Sequence, residues 1–270
     1  MPSADVAPWL TIVTVSLRDD DALSLTCASV DRQAADGFEH VIVLAESPGA
    51  NRGGTGQDRA RRTLIEPPVG VYSAMNVGLR SATGVLVQFL NAGDEYAADD
   101  VLGQVRTRFD ARGFQWAYGR MLVARFPGDP GKVRGVTLDD MESHGYRGMH
   151  FPEHPTVFAR ADLLRQLGGF DTSYRTAADY RLLLELATSH PGEDLDLVVT
   201  RYSLGGVSDV SWRRSVQECH RARMDYFKPT RMGTAREKMF LASALAEQAL
   251  RRIVRAARRR PTRPSMGSAL

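Results

Sequence analysis

Two carboxylates stand where they can do chemistry. Asp94 closes a short polar turn, Asn91-Ala92-Gly93-Asp94-Glu95, directly after the apolar run Val85–Leu90. A strand that ends in such a turn places a carboxylate at the strand-end crevice, and a hard cation prefers carboxylate and phosphate oxygens. Asp179 stands at the start of a helical stretch, in Ala177-Ala178-Asp179-Tyr180. A helix N-terminus favours the ionised carboxylate, while burial among Phe170, Tyr174 and Tyr180 would push its pKa up. Two readings fit it: a proton acceptor or a helix cap. His154 also has two readings, a site residue or a hydrogen-bonded structural histidine. Tyr72 and Met75 have helical spacing and read as core. Gly53-Gly54-Thr55-Gly56 lacks the following Lys-Ser/Thr of a phosphate-binding loop.

These groups need a scaffold. Leu10–Ser16 and His40–Ala45 are nearly continuous apolar runs, and Val85–Leu90 is a third. Runs of this kind predict strands buried on both faces. Helices are expected over Ala22–Gln33, capped by Asp21, and over Tyr72–Ala82, with a short strand at Thr63–Ile65 between them. This alternation predicts a parallel α/β sheet with its ligand crevice at the C-terminal strand ends. The loops Leu17–Asp21, Glu46–Asp58 and Asn91–Tyr96 should converge there. Further on, Trp116–Arg125 reads as a strand or hairpin and Phe126–Gly135 as a loop. Helices are expected over Ala161–Leu167, Ala177–Ser189, Ser211–Phe227 and Thr234–Arg260.

Charge separates the chain into two parts. Seven of the 35 Lys+Arg lie in residues 251–270, which hold no acid, leaving 28 bases against 32 acids upstream. A mildly acidic body disfavours nucleic acid as its partner. The basic end, following Leu241, Leu245, Ala249 and Ile253 at four-residue spacing, suits an anionic membrane surface or a helix packed on the domain. A nucleic-acid binder would rest on this tail alone. Cys27 and Cys219 lack metal-ligand spacing and read as buried reduced thiols. With no signal peptide and no apolar run long enough to span a bilayer, a cytoplasmic protein, or one peripheral at the inner membrane face, is expected.

One ordered set of motifs carries more. Glu66-Pro67-Pro68-Val69-Gly70-Val71-Tyr72-Ser73-Ala74-Met75-Asn76-Val77-Gly78, then Ala82-Thr83-Gly84, then Phe89-Leu90-Asn91-Ala92-Gly93-Asp94, resembles the run EPD-x-GIYDAMN-x-G, ATG, FLNSDD of family 2 glycosyltransferases. His154-Pro155-Thr156-Val157-Phe158 resembles HQALF. Leu167-Gly168-Gly169-Phe170-Asp171 with Ala177–Tyr180 resembles LGGFDE and AADYDL, and Gly205-Gly206-Val207-Ser208 resembles a terminal GGVS. The likeness spans roughly residues 10–210.

The resemblance implies a GT-A fold: a mostly parallel, Rossmann-like sheet over residues 8–210. A helical extension would cover 211–260, with a disordered basic end at 261–270. It implies inverting transfer of a sugar from a nucleotide-sugar to a hydroxyl of a glycan, lipid-linked or small-molecule acceptor, of the kind used in cell-envelope or glycolipid synthesis. Asp94 would hold Mg²⁺ or Mn²⁺ against the donor diphosphate, and Asp179 would be the base. Ser16, Arg18, Glu46, Asn76, Asn91, Gly93 and Asp94 are the candidate donor contacts, and His154 and Tyr180 further donor or acceptor contacts. The sequence also departs from the pattern. Leu44 replaces the aspartate after the second strand, Gly93 stands where many relatives carry Asp, and so do Pro68 and Ser73. These departures keep a second reading open, a transferase-like binding or scaffolding module with weak donor binding.

Overall fold

A computed structural model describes residues 7–17, 19–45, 61–65, 70–124, 129–147, 150–203 and 212–258. Met1–Ser211 and Trp212–Leu270 form two compact units.

In the first unit, strands β1 (Leu10–Ser16), β2 (Phe38–Leu44), β3 (Arg61–Ile65) and β4 (Leu86–Phe89) form a parallel half-sheet in the order β3-β2-β1-β4. All seven residues of β1 and of β2 are buried, as continuous apolar runs require. Helices α1 (Asp20–Asp31) and α2 (Val71–Ser81) supply the crossovers. The cap of α1 is Asp19, whose carboxylate accepts from the Ala22 amide at 2.9 Å. The expected cap Asp21 instead lies in the first turn, where its charge favours the helix dipole.

The other half of the sheet is mixed. β5 (Asp94–Tyr96), helix α3 (Val101–Arg112) and β6 (Trp116–Ala124) follow β4, then β7 (Lys132–Arg134) and helix α4 (Leu138–Ser143). A 3-10 turn, His154–Thr156, leads into β8 (Val157–Arg160). Helices α5 (Ala161–Gln166) and α6 (Ala178–Ser189) precede β9 (Gly192–Ser203). β8 runs antiparallel to β4 and β6, β9 runs parallel to β6, and β5 runs antiparallel to β9. Two expectations are corrected here. The stretch read as a loop over 126–135 contains β7, and Asp94 begins a strand. β9 adds a long strand that carries no sequence periodicity, because a register irregularity near Arg120 and the left-handed Asp196, at φ +46°, interrupt its alternation. The core between these layers gathers Trp9, Ile12, Leu86, Leu102, Phe158 and Val199.

Both cysteines are free and neither is fully buried. Cys27 packs beside Leu23, Ile42 and Leu44, and burial raises its thiol pKa. In the second unit, α7 (Trp212–Phe227) and α8 (Arg231–Arg258) pair through Arg223 and Glu237, 2.8 and 3.1 Å apart at two nitrogens. Among the described residues no helix is long and apolar enough to cross a membrane. The residues from 259 onward, with three of the tail arginines, lie outside the described residues.

Candidate active site

The C-terminal ends of β1 and β4 meet as the alternation predicts. Ala92 donates to the Val15 carbonyl at 3.2 Å and Gly93 to the Ala22 carbonyl at 3.1 Å. Thr26 of α1 then fixes the turn after β4. Its hydroxyl donates to the Asp94 carbonyl at 2.7 Å and accepts from the Gly93 amide at 2.9 Å. Gly93 has φ +95°, a conformation that an aspartate at this place would hold only under strain. The third loop expected here, Glu46–Asp58, lies outside the described residues, as do Glu46 and Arg18.

Within this frame four polar side chains form a chain. Asn91 Nδ2 lies 3.1 Å from His154 Nε2. His154 Nδ1 lies 3.2 Å from Asp179 Oδ2, and the Tyr72 hydroxyl donates to Asp179 Oδ1 at 2.9 Å. Each link comes from a different element. Asn91 follows β4, His154 opens the 3-10 turn, Asp179 is the second residue of α6, and Tyr72 is in the first turn of α2. The histidine turn is tied to β4, since Gln88 donates to the Pro155 carbonyl at 2.7 Å. Behind the chain lies an apolar cavity lined by Val87, Phe89, Val157, Leu164, Phe170 and Leu183. An apolar backing of this kind strengthens the electrostatic contacts at its rim.

The electrostatics correct one expectation and sharpen another. Burial alone would raise Asp179, but the hydrogen bond and charge of His154, with the Tyr180 amide at 2.9 Å and the Tyr72 hydroxyl, outweigh it and lower the pKa. The helix cap is Ala177, so Asp179 does not cap α6. Burial would lower His154, but the Asp179 hydrogen bond and the charges of Asp179, Asp94 and Glu153 raise it. With Nε2 facing the Asn91 amide nitrogen, the imidazole donates to Asp179 from Nδ1, and protonation turns this contact into an ion pair, each side chain 24% exposed. Burial and the Asp179 charge push the Tyr72 hydroxyl far above its ordinary range, so it remains a donor.

Asp94 is different. It is 6% exposed, and burial pushes its carboxyl up to about 6, against the opposing charge of His154. Nearby, Asn91 Oδ1 is buried with no hydrogen-bond partner among the described residues. A buried carboxylate and an orphaned amide oxygen on one turn are oxygen donors that suit Mg²⁺ or Mn²⁺. Among the described residues no three His, Cys, Asp or Glu side chains gather as a complete metal cage. A cation here would take its remaining ligands from a bound molecule.

The other candidates are placed as follows. Ser16 ends β1, and its hydroxyl points back to the Asp19 carbonyl at 3.4 Å. Tyr180 donates to the Tyr146 carbonyl at 2.6 Å and packs edge-on to Phe151. Asn76 is not part of the chain. Its carboxamide donates to the Phe170 carbonyl at 2.8 Å and accepts from the Phe170 amide at 2.9 Å. A Cβ on Gly169, at φ +70°, would come within 2.5 Å of Asn76 Oδ1, so this clamp needs glycine there. Phe170 in turn stacks on Tyr72 at 5.7 Å. Asn76 therefore supports the ring that aims Tyr72 at Asp179.

Tyr72 is the residue that sequence reading misses. Its ring is buried as a core residue's would be, and only the tertiary placement of α6 gives its hydroxyl a partner. In Tyr72→Phe the stacked ring remains and Asp179 loses one donor to its charged form. A hydrogen bond to a charged group contributes about 1.5–3 kcal/mol. The Asp179 pKa should therefore rise, measured by carboxyl ¹³C titration. An unchanged titration would show that the hydroxyl does not act on the carboxylate.

No family model matches the chain. An uncharacterized glycosyltransferase of Mycobacterium tuberculosis, found in strains CDC 1551 and H37Rv, is 27% identical over 215 residues, covering 74% of this chain and 77% of that protein. Among solved structures, S. aureus TarS 1–349 in complex with UDP superposes with TM-score 0.60 at 15% identity, over 87% of this chain and 70% of that one. The mannosyltransferase PcManGT from Pyrobaculum calidifontis, in complex with GDP-Man and Mn²⁺, gives TM-score 0.60 at 17% identity, over 91% of this chain and 76% of that one. The chain shares the α/β fold of these proteins.

Proposed function

We propose that the chain is a glycosyltransferase. It moves a sugar from a nucleotide-sugar to a hydroxyl of a glycan, lipid-linked or small-molecule acceptor, with inversion and with a divalent cation. The observation that carries this reading is the Asn91–His154–Asp179–Tyr72 chain, with oxygen donors for a hard cation at one end and an ionised carboxylate at the other. The fold shared with a UDP complex and a GDP-Man–Mn²⁺ complex supports it, as does the mycobacterial relative.

Asp94, with Asn91 Oδ1, would hold Mg²⁺ or Mn²⁺. The bound cation supplies Lewis-acid neutralisation of the departing nucleotide diphosphate. Ser16, Gly93 and Asn91 would line the donor side, and Arg18 and Glu46, outside the described residues, are proposed as further donor contacts. Asp179 takes the proton of the attacking hydroxyl. A carboxylate has about four lone-pair directions. His154, Tyr72 and the Tyr180 amide occupy three of them, leaving one for the acceptor. Inversion needs a single displacement, and one such base suffices for it. The setting is the cytoplasm or the inner face of a membrane.

A second reading, a binding module that has lost efficient donor binding, has one observation in its favour. Leu44 is 7% exposed and packed with Leu23 and Ile42, so the second strand ends in core, not in a carboxylate that could hold a nucleoside. A screen for slow hydrolysis of UDP-, GDP-, dTDP- and ADP-sugars with Mn²⁺ separates the two. The transferase reading predicts turnover of one donor class. Failure of every donor favours the binding module.

A further inference from the structure

We propose that the exposed face of α8 docks on an anionic lipid bilayer. Met232 is 86% exposed, Met239 74% and Leu250 61%. Their intervals of 7 and 11 residues return to the same side of a helix with 3.6 residues per turn. Ala242 and Ala246, also exposed, lie on the same side of the helix between Met239 and Leu250. The helix meets α7 on another side, where Glu237 turns to Arg223 and both side chains are largely buried. The methionine stripe is therefore left uncovered by α7.

Charge identifies the occupant. Residues 231–258 carry seven bases against two acids, and one of those acids, Glu237, is neutralised by Arg223. Residues 251–270 hold seven arginines and no acid. A nucleic acid would meet the cations and leave the apolar stripe in water. A second copy of the helix in parallel would bring a second block of arginines beside the first, and an antiparallel copy would cover the stripe while leaving the cations of both chains without an anionic partner. A bilayer with anionic headgroups satisfies both features, taking the apolar side chains into the headgroup–acyl boundary and the cations at the phosphates. Methionine suits such a boundary because its flexible, polarisable side chain conforms to an irregular surface. The helix is too polar to cross the bilayer, so it lies on it. This inference does not depend on the transfer chemistry.

The test is flotation of the full chain with vesicles of phosphatidylcholine alone and of phosphatidylcholine with about 30% phosphatidylglycerol, at about 0.1 M and 0.5 M salt. The proposal predicts at least about tenfold more recovery with phosphatidylglycerol, a loss at high salt, and a comparable loss in Met232→Gln/Met239→Gln/Leu250→Gln. Circular dichroism and thermal midpoint of that variant establish that it still folds. Equal recovery on both vesicles would overturn the proposal. So would phosphatidylglycerol binding unaffected by the triple substitution, which would leave the stripe without a role. A salt-sensitive complex with duplex DNA that exceeds vesicle binding, or a dimer in sedimentation that the triple variant abolishes, would assign the face to those partners instead.

Discussion

Asp179→Asn is expected to keep the fold and the affinity for donor while cutting transfer by about 10²–10⁴-fold, the range for loss of a positioned proton acceptor. Asparagine has the same shape and still offers an oxygen to Tyr72 and to the Tyr180 amide, but it cannot take a proton. It also removes the charge that raises His154, so the imidazole should titrate at lower pH in the variant. The two readouts are separable, rate in a transfer assay and the His154 ring protons by NMR. Transfer within about threefold of the native rate would assign the proton to another group. An unmoved His154 titration would contradict the His154–Asp179 contact at 3.2 Å.

The second large effect is expected at Asp94. In the ligand-free protein its carboxyl is raised to about 6 by burial, against about 4 in an unfolded chain. The sign follows. The raised pKa favours the folded state fully below about 4, and that contribution is lost as pH rises through about 6. A cation needs the ionised form, so it binds weakly below pH 6 and restores the lost stability above it. The thermal midpoint should therefore rise with Mn²⁺ at pH 7.5 and hardly at all at pH 5. Asp94→Asn should abolish the Mn²⁺ response, raise metal-free stability at pH 7.5, and reduce transfer by roughly 10²-fold or more, as several kcal/mol of charge stabilisation are lost. A variant that keeps the native Mn²⁺ response would place the cation elsewhere.

Much of the frame was legible because burial on both faces leaves a plain mark. β1, β2 and β4 are continuous apolar runs, and the acid turn after β4 stands out against them. Asp94 stands out in the polar turn that ends an apolar run, and Asp179 at the start of a helical stretch. The second half was harder. β7 is three exposed residues in a Gly- and Pro-rich stretch, and nothing in Lys132-Val133-Arg134 alternates against a core. β9 interrupts its alternation with Asp194 and Asp196, which serve Arg120 across the sheet at 2.8 and 3.1 Å. α3 buries only Val101, Leu102 and Val105, too few for a clear apolar stripe. The direction of the Asp179 shift stays open at the level of sequence for a related reason. Burial was visible from its aromatic neighbours, whereas the histidine that outweighs it comes from a turn 25 residues away in sequence. Asn76 and Tyr72 show the same limit, since their polar atoms find partners 94 and 107 residues distant.

The most direct measurement of the central claim is calorimetric titration of the native chain with the nucleotide-sugar panel, with and without Mn²⁺ at pH 7.5. The account predicts that one nucleotide class binds, that binding requires Mn²⁺, and that Asp94→Asn loses it while Asp179→Asn retains it. Donor binding that is indifferent to Mn²⁺ and to Asp94→Asn, or no binding of any donor, would contradict it.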